Sequence, residues 1–545
     1  MFQGVTPRLV YHVAIVCLGA LQFGYHLSEL NAPEAYISCQ IRDRMDYFST
    51  DALVDCIPMD ANKIGLVNSI FSVGGFIGAS FGGRGADRFG RRGLTMINCI
   101  SFIIGPAVMA VSTNFGLLML GRFISGLGAG ASLIVTPMYL NEISPPSIAG
   151  MVGAMCQEFV NIGILSAQVA GIFLSSFRGW RVILSIGGMI GLLNLLTIPT
   201  CVESPRWLTL RNRTHDARVA LVHLRGLSEG EDMNEELLEI EMLIESWKEQ
   251  PTQDEIIKPL SSISAQSLGT VSQDSGSSSD STLSEIEEEA PLINATITQT
   301  PSITPAVDSE SISLVLSSEE GTLQPTDSNV PHDFHKITYK EFITSPVFRR
   351  PLICVIGVLT AQQLCGINTM IFYGVTILST LFPTAAVLVN VLISLLNCFV
   401  NLIIAPFVDR VGRRPLLMWS EGGMCLSAFC LAFGILYNIT VLSGIAATVF
   451  VAFFSVGLGP IPFLIVPELT EASSVGVAQS TGFVCNWVSF FLIGYLFPIL
   501  NQAIGGFVFF ILSGISLFYF LLTWKFVPET KGKKTFEEVW GYPVR

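Results

Sequence analysis

Gly82-Gly83-Arg84-Gly85-Ala86-Asp87-Arg88-Phe89-Gly90-Arg91-Arg92 reads as a short basic loop, and Asp409-Arg410-Val411-Gly412-Arg413-Arg414 repeats its D-R-x-G-R-R core. On either side of both loops the chain turns apolar. A membrane span needs about 20 predominantly apolar residues. Six stretches qualify before residue 203: 9–30, 62–83, 93–113, 115–140, 150–175 and 180–202. Six more follow residue 350: 351–379, 384–408, 414–437, 443–468, 476–499 and 505–527. Short basic loops are common in membrane proteins, but these two each follow the second span of a group of six. That placement marks an internal repeat, as expected of halves related by an axis along the membrane normal. The expected fold is an all-α membrane protein of twelve spans in two pseudo-symmetric, six-helix halves.

Composition agrees. Half of the 545 residues are hydrophobic, 13% are charged and mean hydropathy is +0.58. A soluble chain of this length needs more charge to cover its surface. The net charge of −13 arises largely from one acidic stretch, 229–341, and nothing resembles a nucleic-acid surface. Lys/Arg asymmetry over short loops puts both basic loops, the termini and the central insert in the cytoplasm, with Arg178 and Arg181 as minor exceptions. About eight residues precede the first apolar run, without a small-residue cleavage pattern, so no cleavable signal is expected.

The expected organisation is a first half at 1–202, cytoplasmic amphipathic helices at 203–249, a linker at 250–337, a second half at 338–527 and a cytoplasmic tail at 528–545. The linker is rich in Ser, Thr, Pro and acids. Such a segment cannot bury enough apolar surface to offset the entropy of ordering it, and it offers sites for phosphorylation. Within the spans, Gly126, Gly128, Gly130 and Pro137, and then Gly457, Gly459, Pro460 and Pro462, permit close packing or local unwinding beside a cavity.

Several motifs carry a resemblance. They are Gly82–Arg92, Gly121-Arg122-Phe123 with Gly126, Pro137-Met138-Tyr139-Leu140-Asn141-Glu142 and Glu203-Ser204-Pro205-Arg206 in the first half. The second half has Gln362-Gln363-Leu364-Cys365-Gly366-Ile367-Asn368, Gly459-Pro460-Ile461-Pro462 and Pro528-Glu529-Thr530-Lys531-Gly532. In this order they resemble the sugar-porter family of the major facilitator superfamily, over both halves but not the linker. The resemblance implies a major facilitator fold and an alternating-access carrier of a hexose or related small neutral sugar or polyol. Transport would be facilitative or proton-coupled, with the lipid bilayer as the other partner and no cofactor or enzymatic chemistry. A sugar sensor that binds without moving its ligand is the alternative, and transmembrane flux separates the two.

A sugar presents hydroxyls and C–H faces, which suit neutral amides and aromatic rings. By resemblance the substrate residues are Gln157, Gln362, Gln363, Asn368, Asn397 and Asn486, with Phe372, Tyr373 and Trp487 as stacking surfaces. Polar residues in spans also simply hydrogen-bond neighbouring helices. Asp87, Arg88, Arg92, Arg122, Glu142, Glu203, Arg206, Arg410, Arg414, Glu468 and Glu529 match an ion-pair network near the cytoplasmic span ends, which in the family joins the halves when the inner gate is shut. Ordinary interfacial charges are the other reading. The chain departs from the family at Ala149 and Val475, where arginine is usual, so Glu142 and Glu468 are expected to lack their usual partner. Phe463, Ser455 and Phe490 replace a tryptophan, a glutamate and an asparagine, which makes the sugar site less polar.

His26 matches a position that carries a carboxylate in proton-coupled members and an amide in facilitators. Histidine titrates near physiological pH, so His26 is a candidate for proton coupling, as is the intramembrane acid Glu158. The other reading is a neutral His26 that hydrogen-bonds within the bundle and a Glu158 that lies near an aqueous cavity. Cys39 and Cys56 lie in the polar loop after the first span and can pair if that loop faces an oxidising compartment. The other ten cysteines lie in apolar runs. Glu288, with Leu292 and Ile293, fits an acidic dileucine pattern read by sorting adaptors, pointing to a vacuolar or lysosomal membrane with the plasma membrane as alternative. Asn438-Ile439-Thr440 is a glycosylation sequon close to the membrane.

Overall fold

A computed structural model of the chain describes residues 6–40, 54–145, 148–226, 339–471, 474–533 and 536–541. The linker with Glu288, Leu292 and Ile293, and the amphipathic stretch around Leu237, lie outside the described residues.

Among the described residues the helices make up twelve spans, two of them in two pieces. The first half contributes Pro7–Ser28, Ala61–Phe89, Arg91–Ala110, Phe115–Ile143, Ala149–Leu174 and Gly179–Thr197. The second contributes a seventh span in two pieces (Arg349–Leu364 and Ile367–Ser379), then Ala386–Ile404 and Arg413–Leu436. A tenth span in two pieces (Thr440–Val456 and Ile461–Leu469), Val475–Ile504 and Val508–Phe526 complete it. At 1.5 Å per residue, helices of this length cross a hydrocarbon core of about 30 Å. Polar side chains start several of them: Thr6, Asp60 and Asn114 accept from the backbone N–H groups of Leu9, Lys63 and Leu117 at 3.1, 2.9 and 3.0 Å.

The eighth span shows how the bundle sorts its faces. Asn390, Asn397 and Asn401 recur at helical spacing and are buried, while Leu392, Phe399 and Ile403 on the other side are more than half exposed. Lipid takes the apolar face and the interior takes the amides. The halves meet where the second span packs on the eleventh and the fifth on the eighth. Glycine allows that approach: a Cβ on Gly65 would lie 2.7 Å from the carbonyl oxygen of Tyr495, and one on Gly75 would enter the Trp487 ring.

One local expectation is corrected. The stretch before Arg92 is not a loop, because the second span stays helical to Phe89 and Gly90 alone turns the chain. The tenth span breaks between Val456 and Ile461, as its cluster of glycines and prolines allows, because Gly457, Gly459 and Pro460 deprive the helix of regular bonding. By contrast, the fourth span runs unbroken through its glycines and Pro137. There the glycines serve packing, since methyl groups on Gly126 and Gly130 would strike backbone carbonyls of the second span.

Candidate functional site

The seventh span breaks at Gly366, whose φ of +100° favours glycine. Around this break four amides interlock. Gln363 Nε2 donates to Asn486 Oδ1 at 3.1 Å, Asn486 Nδ2 donates to Gln362 Oε1 at 2.9 Å, and Asn368 Nδ2 donates to Gln363 Oε1. Gln362 Nε2 also reaches the carbonyls of Leu458 and Gly459, at 3.1 and 3.3 Å, in the break of the tenth span. Two unwound helices are thereby tied together by one side chain. Aromatic rings lie beside the amides: Phe372 meets Phe490 edge-on at 5.5 Å, and Trp487 lies 5.6 Å from Phe490. Phe490 also reaches Phe71 of the first half at 6.4 Å. Tyr373 is buried, and its hydroxyl donates to the Gly494 carbonyl at 2.7 Å.

A second polar group crosses between the halves. Gln157 donates to Asn161 at 3.4 Å, Asn397 donates to Asn161 at 3.3 Å, and Ser455 donates to Asn397. One turn away Asn401 Nδ2 donates to Glu158 Oε2 at 3.1 Å. The bonds among Gln157, Asn161, Asn397 and Ser455 join neutral groups, so a ligand hydroxyl can replace either partner there without stranding a charge.

His26 sits in a buried ionic cluster. Its Nδ1 lies 2.9 Å from Glu29 Oε2, and Arg122 Nη1 lies 3.2 Å from Glu29 Oε1 and also donates to the His26 carbonyl. Phe102 stacks on the imidazole at 5.3 Å and Phe71 lies 4.7 Å beneath the guanidinium. All three ionisable side chains are fully buried. Arg122 is therefore not at the basic-loop end, where the resemblance placed it with the ion-pair network. It lies near the Phe115 end of the fourth span, and Glu142 lies near the other.

At the basic-loop end the repeat becomes a repeat of bonds. In the first half Arg91 pairs with Glu142 at 2.7 Å, Ser204 donates to Glu142 at 2.5 Å, and Glu203 Oε1 accepts from the Arg91 and Arg92 backbone N–H groups at 2.8 and 3.1 Å. In the second half Arg413 pairs with Glu468 at 2.9 Å and Thr530 donates to Glu468 at 2.5 Å. Glu529 accepts from the N–H groups of Arg413 and Arg414 at 3.0 and 3.2 Å. With no arginine at positions 149 and 475, Glu142 and Glu468 pair instead with Arg91 and Arg413. These bonds lie within each half rather than between them. Asp87 is largely exposed, 3.5 Å from Arg91, while Arg88 and Arg410 lie over the rings of Phe89 and Phe407. Arg206 lies in the first turn of a short helix, Pro205–Leu210.

The opposite end is closed between halves. Asn31, beyond the first span, accepts from Val375 N–H at 3.0 Å and donates to the Met370 carbonyl at 3.4 Å, and Thr376 donates to Glu34 at 3.1 Å. Cys39 and Cys56 form a disulfide at this end, with Cα atoms 5.3 Å apart. Asn438 is exposed in a turn.

Sequence reasoning missed Asn161, Asn401, Arg91, Arg413, Asn31 and Glu34. Asn161 and Asn401 follow Gln157 and Asn397 by four residues, so the helical repeat was signal enough. Arg91 and Arg413 stand in the repeated motif, one position before the arginines that were chosen.

Comparisons with known proteins complete the description. A family model described as sugar (and other) transporter matches residues 12–268 and 287–540. The chain is 31% identical to a probable metabolite transport protein of Saccharomyces cerevisiae, over 99% of this chain and 96% of that one. It is 30% identical to vacuolar protein sorting-associated protein 73 of the same yeast, over 97% and 95%. It is also 30% identical to solute carrier family 2, facilitated glucose transporter member 3 of Oryctolagus cuniculus, over 98% and 92%. Among solved structures, the partially occluded inward-open xylose transporter XylE of E. coli aligns with a TM-score of 0.67 at 18% identity, over 97% of this chain and all of that one.

Proposed function

The chain belongs to the sugar-transporter family of the major facilitator superfamily, and from that premise we propose that its solute is a hexose or related polyol bound between the two halves. It is a multi-pass membrane transporter and not an enzyme. The proposed contacts are Gln157, Gln362, Gln363, Asn368, Asn397 and Asn486, with Phe372, Tyr373 and Trp487 supplying apolar faces. The observation that carries this is the amide cluster at the broken seventh span, where Gln363 bonds both Asn368 and Asn486. Such a cluster can trade internal bonds for sugar hydroxyls and transmit the exchange to the helix break.

The matched acid–arginine clusters are proposed as the gate machinery of the basic-loop end. Each would brace its own half, so that the halves rock as rigid bodies. Proton coupling is proposed at His26, whose contact with Glu29 and Arg122 supplies a carboxylate one turn from the imidazole. Glu158, bonded across the halves to Asn401, is the second candidate. We place both termini and the linker in the cytoplasm on the Lys/Arg distribution. We place the protein in a vacuolar or lysosomal membrane, sorted by an adaptor at Glu288, Leu292 and Ile293, with the plasma membrane as the competing location.

Radiolabelled uptake into proteoliposomes tests the reading, with hexoses, inositol and disaccharides offered with and without an inward proton gradient. Uptake of a hexose or polyol that is lost on Gln363→Ala supports the assignment. Uptake unchanged by that substitution overturns the site. Acceleration by the gradient that disappears in His26→Asn assigns coupling to His26, whereas indifference to the gradient makes the protein a facilitator.

A further inference from the structure

We propose that Glu34 is a proton-binding site that latches the disulfide-bearing end of the cleft, holding a proton while that end is shut and releasing it when the halves part. The inference rests on the alternating-access reading, but neither on the identity of the solute nor on His26.

Glu34 opens a short helix, Glu34–Ile37, beyond the first span. It is buried, 7% exposed. Thr376 of the seventh span donates to its Oε1 at 3.1 Å, while its Oε2 is buried with no hydrogen-bond partner among the described residues. Thr376 belongs to the other half, so this environment exists only while the halves meet here. Asn31 secures the same meeting through Met370 and Val375.

No cation offsets a charge on Glu34 among the described neighbours. On the seventh span the titratable group that interacts with it is Tyr373, whose hydroxyl is committed to Gly494. The segment that packs on this helix, through Ile57 N–H to the Ile37 carbonyl at 2.7 Å, carries Asp55, Asp60 and Lys63. Asp55 acts on Arg181, Asp60 caps the second span, and Lys63 is exposed. On its own side Tyr36 packs edge-on against Phe177, and Glu29 is engaged by His26 and Arg122.

Burial pushes the Glu34 carboxyl up to about 8, opposed by the Thr376 hydrogen bond. Once the end opens and water reaches it, the group returns toward an ordinary carboxyl value of about 4. The shut form therefore binds a proton that the open form gives up. Closure is favoured as pH falls below the shut-state value and is lost as pH rises through it. Between the two values the gate equilibrium shifts by up to about tenfold per pH unit.

The test uses the full chain in nanodiscs without sugar, with spin labels on non-canonical residues at Lys63 and Thr380, both exposed at this end. Distance distributions are recorded from about pH 5 to 9, a range chosen to bracket the expected transition. The long-distance population should rise several-fold toward the alkaline end. In Glu34→Gln it should stay at its acidic-end value throughout. Thr376→Val, which removes the bond that favours the ionised form, should move the midpoint to higher pH. A parent protein with no pH response, a Glu34→Gln variant that keeps the parent response, or an unmoved midpoint in Thr376→Val each overturns the proposal. The readout needs no solute, so absence of sugar uptake, which would sink the transport assignment, leaves it intact.

Discussion

At the residue scale, the repeated motif comes down to one glycine in each half. Gly90 has φ 83° and ψ 169°, and Gly412 has φ 112° and ψ 161°, a region that side chains with a Cβ essentially do not enter. At each turn a carboxylate, Glu203 or Glu529, occupies the space where a Cβ would go and accepts the N–H groups that start the next span. Conformation and contact therefore point the same way. Gly90→Ala and Gly412→Ala should each destabilise the protein by about 1–3 kcal/mol, read as a lower thermal midpoint in detergent. Gly83→Ala, inside the second-span helix where a Cβ meets nothing, is the contrast and should leave the midpoint level or raise it slightly. The motif was legible in the sequence as a repeat. Which arginine reaches the acid was not, because Arg91 and Arg92 are adjacent in sequence but point in different directions from the same first turn.

At the element scale, the two broken helices distinguish the second half from the first. The fourth span keeps its helix through three clustered glycines, whereas the tenth opens after Gly457. Both stretches are rich in glycine, but only the second carries prolines, Pro460 and Pro462, within the cluster. The neighbours differ as well: carbonyls of the second span press against the first group, while Ser420 and Gln362 are placed to bond the backbone freed in the second. Span number follows from composition, and was readable, as was the capacity of the tenth span to unwind at its glycines and prolines. The seventh-span break depends on partners far away in sequence, and was not. Gly366 makes the seventh-span break possible and brings Asn368 back to Gln363. Gly366→Ala forces a Cβ into a positive-φ residue and to within 2.9 Å of Leu512, at a cost of about 1–2 kcal/mol. Straightening the break to relieve that strain would separate Asn368 from Gln363. Sugar affinity should therefore fall several-fold, measured by equilibrium binding, while Gly514→Ala on the twelfth span leaves it unchanged.

At the scale of the whole molecule, the two ends are built differently. The basic-loop end holds strong charge-assisted bonds inside each half, made by Arg91 with Glu142 and Arg413 with Glu468, so each half is stiff there. The disulfide end joins the halves through neutral bonds of Asn31 and Thr376. A carrier needs this division: contacts that persist through the cycle can be strong, whereas contacts that break must be weak enough for binding energy to tip them. Asn31→Ala removes two bonds between the halves and nothing that braces either one. At roughly 1 kcal/mol for each neutral bond, the disulfide end should open about 5–30-fold more often. Distances between labels at Lys63 and Thr380 would report the shift. Because Glu34 remains in place, the pH response should survive in Asn31→Ala on a raised baseline of open molecules. An unchanged open population would mean that these bonds follow closure rather than hold it.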